Sequence, residues 1–147
     1  MPITTSWDNA DRTIIRYLLD GRWTIQDVFQ AVEQVNGMLK DVSYPVDFIG
    51  EYTLSSYFVV GDFTSVFRRL ETILVKQNRF PSYAVAINAP AFARNIVKIM
   101  DRIAPDITSN IFFVSSNEEA CALLAKKRDR EVCNNVTGQP QVDAAAS

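Results

Sequence analysis

The chain has 147 residues with 15 basic and 17 acidic side chains, a net charge of −2. That balance argues against a nucleic-acid-binding surface, which needs a basic surplus to neutralise phosphates. Histidine is absent, which removes Ser-His triads, Cys-His dyads and imidazole metal sites. The proportions, 48% hydrophobic and 22% charged, are those of one ordinary globular domain.

Residues 3–7 read as a first strand, and Asp8-Asn9-Ala10-Asp11 as a turn. Residues 13–19, rich in β-branched and aromatic side chains, read as a second strand. The short link predicts an antiparallel hairpin, and Asp20-Gly21-Arg22 breaks it. Thr24 is the expected N-cap of the first helix, with Asp27 at the third helical position completing a capping box. Trp23 and Val28 have the spacing of a hydrophobic staple. Ile25, Val28, Val32, Val35 and Leu39 recur at helical period, so this helix runs to about Lys40.

Residues 46–52 form the third predicted strand. Residues 53–61 fit a strand extension, a loop or a short helical turn. Asp62 or Thr64 caps a second helix whose apolar face is Val66, Phe67, Leu70, Ile73 and Leu74, and Pro81 closes it. Residues 83–87 are continuously apolar, the pattern of a central strand covered on both faces. Asn88 is the expected cap of a third helix with Pro90 in its first turn. Phe92, Ile96, Ile99, Met100 and Ile103 are its core face, and Ala104-Pro105-Asp106 stops it. Residues 111–114 are the fifth strand. Ser116 and Glu119 are expected to form a capping box for a fourth helix, which turns Ala120, Leu123 and Leu124 inward and ends near Arg130.

The order ββαβαβαβα predicts an α/β domain over residues 1–130. Its five-stranded sheet is mostly parallel, with an antiparallel edge strand and four helices. Residues 131–147 are polar and Ala-rich without periodicity, and read as a disordered tail.

The only cysteines, Cys121 and Cys133, belong to no C-x-x-C pair. They read as two reduced thiols of a cytoplasmic protein. The first eight residues have neither the basic nor the apolar region of a signal peptide. No apolar run approaches the ~18 residues of a membrane span, so integral membrane association is not expected. The five glycines form neither G-x-G-x-x-G nor a P-loop. Asp8 and Asp11 are explained by turn chemistry. Asp47 and Glu51 share a strand face about 13 Å apart, too far to act as a pair. No metal, no cofactor and no enzymatic activity are therefore expected.

Charge is unevenly placed. Residues 63–104 hold seven basic and two acidic side chains, a net +5, against −7 for the rest. Arg94, Lys98 and Arg102 recur every four residues and so share one helix face. The run Lys126-Lys127-Arg128 fits a helix C-terminus, where cations complement the macrodipole. Leu54, Tyr57, Phe58 and Phe63 cluster where the chain leaves the third strand.

This organisation resembles the STAS domain, the fold of anti-sigma-factor antagonists such as SpoIIAA, and the related SpoIIAA-like group. The resemblance covers about residues 2–128. It rests on the element order, on an opening hairpin followed by a capped helix, and on Ser115-Ser116-Asn117-Glu118-Glu119-Ala120 leading into the last helix. The family's Asp-Ser-Gly-like phosphorylation motif lies where the third strand meets the second helix. Here that region reads Leu54-Ser55-Ser56-Tyr57 and Gly61-Asp62-Phe63-Thr64-Ser65, with hydroxyls and an acid but not that order.

By position, the resemblance makes Ser55, Ser56, Thr64 and Ser65 candidate phosphoacceptors, although Asp62 or Thr64 also serves as a plain helix cap. It implies a non-enzymatic regulatory module of the bacterial cytoplasm that docks a protein partner. The expected contact set is Leu54, Ser55, Ser56, Tyr57, Phe58, Asp62, Phe63, Thr64 and Ser65, with Arg68, Arg69, Arg94, Lys98 and Arg102 facing an acidic partner. The alternative is a SpoIIAA-like carrier of a small apolar ligand or lipid.

Overall fold

The computed structural model describes residues 2–59, 82–103 and 105–129. The chain opens with β1 (Ile3–Trp7) and β2 (Ile14–Leu19), paired antiparallel in the register Ile3 to Leu19. Asn9 closes the link between them. Its buried carboxamide oxygen accepts from the Thr13 and Ile14 amides at 2.9 and 3.2 Å, and its Nδ2 donates to the Thr13 hydroxyl. Asp8, expected to serve the turn, instead takes the Arg16 guanidinium at 2.7 Å.

After the break at Gly21 come β3 (Arg22–Trp23) and helix α1 (Ile25–Met38). The Thr24 hydroxyl accepts from the Asp27 amide and the Asp27 carboxylate accepts from the Thr24 amide, which closes the capping box. Trp23 is buried with Val28 packed in the same cluster, as the staple spacing requires. Then follow β4 (Asp47–Tyr52), β5 (Tyr57–Phe58) and β6 (Ala84–Ile87). Helix α2 (Ala91–Ile103), the single turn α3 (Pro105–Thr108), β7 (Ile111–Val114) and α4 (Asn117–Arg128) complete the described elements. The second helix expected around residues 62–78 and the tail at 131–147 lie outside the described residues.

The main sheet has the order β1-β2-β4-β6-β7, with only the first pair antiparallel. Each parallel strand is added on the same side of the last, so right-handed crossovers put α1 and α2 on one face. The register confirms this: Tyr17, Gly50, Ala86 and Phe113 form one row across the sheet. Tyr17 packs with the α1 clusters, and Arg94 of α2 lies over Phe113. Helix α4 packs on the opposite face, where Ala120 and Leu124 bury Ile14, Ile49, Val85 and Ile87. Each such aliphatic side chain contributes roughly 1.5–3 kcal/mol by leaving water.

Four local expectations are corrected. Residues 22–23 and 57–58 pair in parallel as a separate two-stranded sheet, which no local pattern announces. Asn88 has φ 57°, in the left-handed region, whereas a cap residue is extended. The Pro90 carbonyl accepts the Arg94 amide, so Pro90 rather than Asn88 holds the cap position of α2. Ile99, assigned to the core, is 45% exposed. The α4 box closes one residue early: Ser116 accepts from the Glu119 amide, but the Glu119 carboxylate accepts from the amide and hydroxyl of Ser115. Those two bonds hold its carboxyl below the usual range.

The thiol reading is also corrected. Cys121 is disulfide-bonded, and the only other cysteine in the sequence is Cys133, which lies outside the described residues. Disulfides persist in oxidising compartments, so the cysteines no longer support a reducing one. No described helix is long and apolar enough to cross a membrane.

Candidate docking surface

The parallel strands β2, β4, β6 and β7 all end at one rim, at Leu19, Tyr52, Ile87 and Val114. The segment 53–59 crosses that rim and is tied down along its length. The Thr53 amide donates to the Leu19 carbonyl at 3.1 Å, Tyr57 to Gly21 at 2.9 Å and Val59 to Trp23 at 2.9 Å. Gly21 accepts its bond from a left-handed backbone, φ 67°, which glycine adopts without strain.

Side chains brace the same segment. The Asp20 carboxylate accepts from the Thr53 hydroxyl at 2.6 Å and the Ser55 hydroxyl at 2.7 Å. These donors stabilise the charged form and hold the Asp20 carboxyl below its usual range. The Trp23 indole donates to the Ser56 hydroxyl at 2.8 Å. Beneath, Phe58 stacks on Phe92 of α2 with centroids 4.3 Å apart and meets Trp23 edge-on at 4.8 Å. Tyr52 lies 6.2 Å from Trp23 on the other side. Above this aromatic floor Leu54 is fully exposed and Tyr57 is 57% exposed.

The expected contact residues therefore divide. Leu54, Ser55 and Tyr57 form an outward crest, while Ser56 and Phe58 turn toward the protein. Arg94, Lys98 and Arg102 are exposed on α2, and the Phe58–Phe92 stack brings the start of that helix against the crest. Arg102 lies about 12 Å further along the helix than Arg94 at 1.5 Å per residue. Asp62, Phe63, Thr64, Ser65, Arg68 and Arg69 lie outside the described residues.

Asp20, Trp23 and Phe92 were not anticipated at this site. The signal for Asp20 is register: Leu19 pairs with Tyr52, so the next residues of both strands, Asp20 and Thr53, emerge together.

Two other charged constellations are structural. The carboxylates Asp47 and Glu51 take separate cations, Arg128 and Arg16. Arg128, expected only to complement a helix dipole, reaches back to Asp47 with both Nε and Nη2. Among the described residues no three cysteine or carboxylate side chains converge into a metal-holding group. No protein-family model, no curated protein and no solved structure matches this chain.

Proposed function

We propose that this protein is a non-enzymatic, STAS-like interaction module that docks an acidic protein partner at the carboxyl rim of its sheet. The observation that carries the reading is the crest itself: a leucine and a tyrosine held outward on a segment that backbone and side-chain bonds have already immobilised. An interface of this kind loses little conformational entropy on binding. Its apolar centre edged by arginine and lysine has the composition of a recognition surface. The rings of Trp23, Phe58 and Phe92 fill the space beneath the crest, which favours docking over a carrier with its ligand at that point.

Ser55 is the described hydroxyl that best suits a phosphoswitch. A phosphate on its oxygen would face the Asp20 carboxylate that the hydroxyl now donates to, and like-charge repulsion would release the segment.

The test compares wild-type bait with a Leu54→Ser, Tyr57→Ser bait in native lysate, with bound proteins quantified by mass spectrometry. A partner held by the wild type and lost by the variant supports the reading. Its retention should fall with added salt and with Arg102→Glu, since rim charges act mainly through association rate. Equal recovery by both baits would place the interface elsewhere.

A further inference from the structure

A cleft of about 310 Å³ lies on the flank of α2, between that helix, α3 and the edge strand β7. Arg94, Val97, Lys98 and Asp101 form one wall, Thr108 closes one end and the Phe113 ring lies at the floor. The four α2 residues fall at the spacing that puts side chains on one helix face.

The chemistry of this wall is uneven. Arg94 holds its guanidinium 4.9 Å over the Phe113 ring, and its Nε donates to the Ala89 carbonyl. Neither Arg94 nor Lys98 takes part in an ion pair among the described residues. Asp101 is already engaged, accepting the hydroxyl of the buried Thr108. Lys98 thus stands without an ion-pair partner beside Arg94, which lies over the aromatic floor, and with one opposing carboxylate the described lining carries a formal +1.

We infer that the cleft binds a small aromatic monoanion. Its ring would lie against Val97 and the part of Phe113 that Arg94 leaves open to the cleft, and its carboxylate would bridge Arg94 and Lys98. At the roughly 30 Å³ that a water molecule occupies in the liquid, the cleft holds about ten heavy atoms, room for a benzoate-sized molecule. Charge selects the anion's valence, because a dianion would meet Asp101 with one negative charge uncompensated. The apolar floor selects an aromatic body over an inorganic ion. Residues 53–59 take no part in this site, although Arg94 and Lys98 also belong to the basic set proposed for docking.

The experiment uses the full chain, ¹⁵N-labelled and titrated with sodium benzoate, with benzamide and with inorganic phosphate at matched ionic strength. Benzoate should give saturable amide shifts at Val97, Lys98, Thr108 and Phe113. Benzamide, the neutral isostere, should bind at least about tenfold more weakly, and phosphate should not reproduce the Phe113 shift. Arg94→Gln and Lys98→Gln alter exposed positions and should keep the spectrum dispersed, yet each should weaken benzoate severalfold. Equal binding of benzoate and benzamide would overturn the proposal, as would shifts mapping outside the cleft. An unchanged affinity in both glutamine variants, or no saturable shift at millimolar benzoate, would overturn it as well. A response to phosphate equal to that to benzoate would mark a general cationic surface and equally defeat the assignment.

Discussion

Arg128 and Asp47 are 81 residues apart, and their contact fixes the last helix to the sheet. Asp47 opens β4 with its side chain only 4% exposed. It receives Arg128 Nε at 2.9 Å, Arg128 Nη2 at 2.6 Å and the Tyr83 amide at 2.9 Å. The guanidinium also lies 4.7 Å over the Tyr83 ring. These contacts raise the Arg128 pKa further above its ordinary value, so the cation persists at any pH the fold survives.

Replacing Arg128 by methionine keeps an apolar stem and removes the charge. The Asp47 carboxylate is then buried with one donor remaining. Removing one member of a buried pair costs about 3–5 kcal/mol. Arg128 is 18% exposed, and water reaching it relieves some of that penalty, so a loss of about 3 kcal/mol is expected. For a domain of this size the melting temperature falls roughly 2–4 °C per kcal/mol, giving about 6–12 °C. Asp47→Asn keeps an acceptor for the Tyr83 amide and should cost less. The double variant should cost less than the two single losses added together. Urea unfolding followed by circular dichroism measures all three. If Arg128→Met lies within about 1 kcal/mol of the parent, the pair behaves as an exposed surface bridge and the reasoning fails.

The Leu54→Ser, Tyr57→Ser variant should unfold within about 0.5 kcal/mol of the parent, because both side chains already face water; a larger loss by the same urea assay would make the crest structural. Burial raises the hydroxyl pKa of Tyr17 and Tyr52. Unfolded tyrosines ionise near pH 10 while the folded ones resist. Their contribution to stability is therefore complete below about pH 10 and lost as pH rises further; Tyr17→Phe should flatten part of that alkaline decline in urea midpoint. The Asp20 carboxyl is lowered, so its contribution is present above the ordinary carboxylate range and lost as pH falls through the folded value. Ser55→Ala should move its ¹³C titration upward, and an unmoved curve would show that the Ser55 hydroxyl is not a donor in solution. Protein extracted under alkylating conditions should show no reactive thiol at Cys121; alkylation there would mean that the cysteine is reduced in its own compartment.

What the sequence reveals here is set by how local the determining contacts are. The boundaries of β1 and β7 are legible, and so is the start of α1, because the strand composition, Thr24 and Asp27 all act within a few residues. The inward set of α4 follows from periodicity alone. Asn88 misleads because the same short polar side chain suits both a helix cap and a left-handed turn. The β3–β5 pair is hidden for a different reason: two residues on each side carry no alternation, and their partners are 35 positions apart in the chain. The crest could be placed at the end of the third predicted strand, but not its bracing. Asp20 meets Ser55 only because two parallel strands end in register. Arg128 looked like dipole compensation because nothing local points to Asp47.

Winding direction also explains an arginine in the middle of β2, where a mostly parallel sheet would favour aliphatic residues. With α1 and α2 on one face, α4 stands alone on the other among the described helices. Its 12 residues span about 18 Å at 1.5 Å per residue, less than the width of a five-stranded sheet at roughly 4.8 Å per strand. It covers β6, β7, Ile49 of β4 and the first residue of β2, Ile14. Arg16, two residues on, lies at its border and donates to Asn117 in its first turn. Beyond that border Arg16 takes Asp8 from the β1 side and Glu51 from the β4 side. Among the described residues the part of the face beyond α4 thus carries mutually satisfied charges, which resist apolar association. At the rim, by contrast, Leu54 and Tyr57 stand outward without a charge between them.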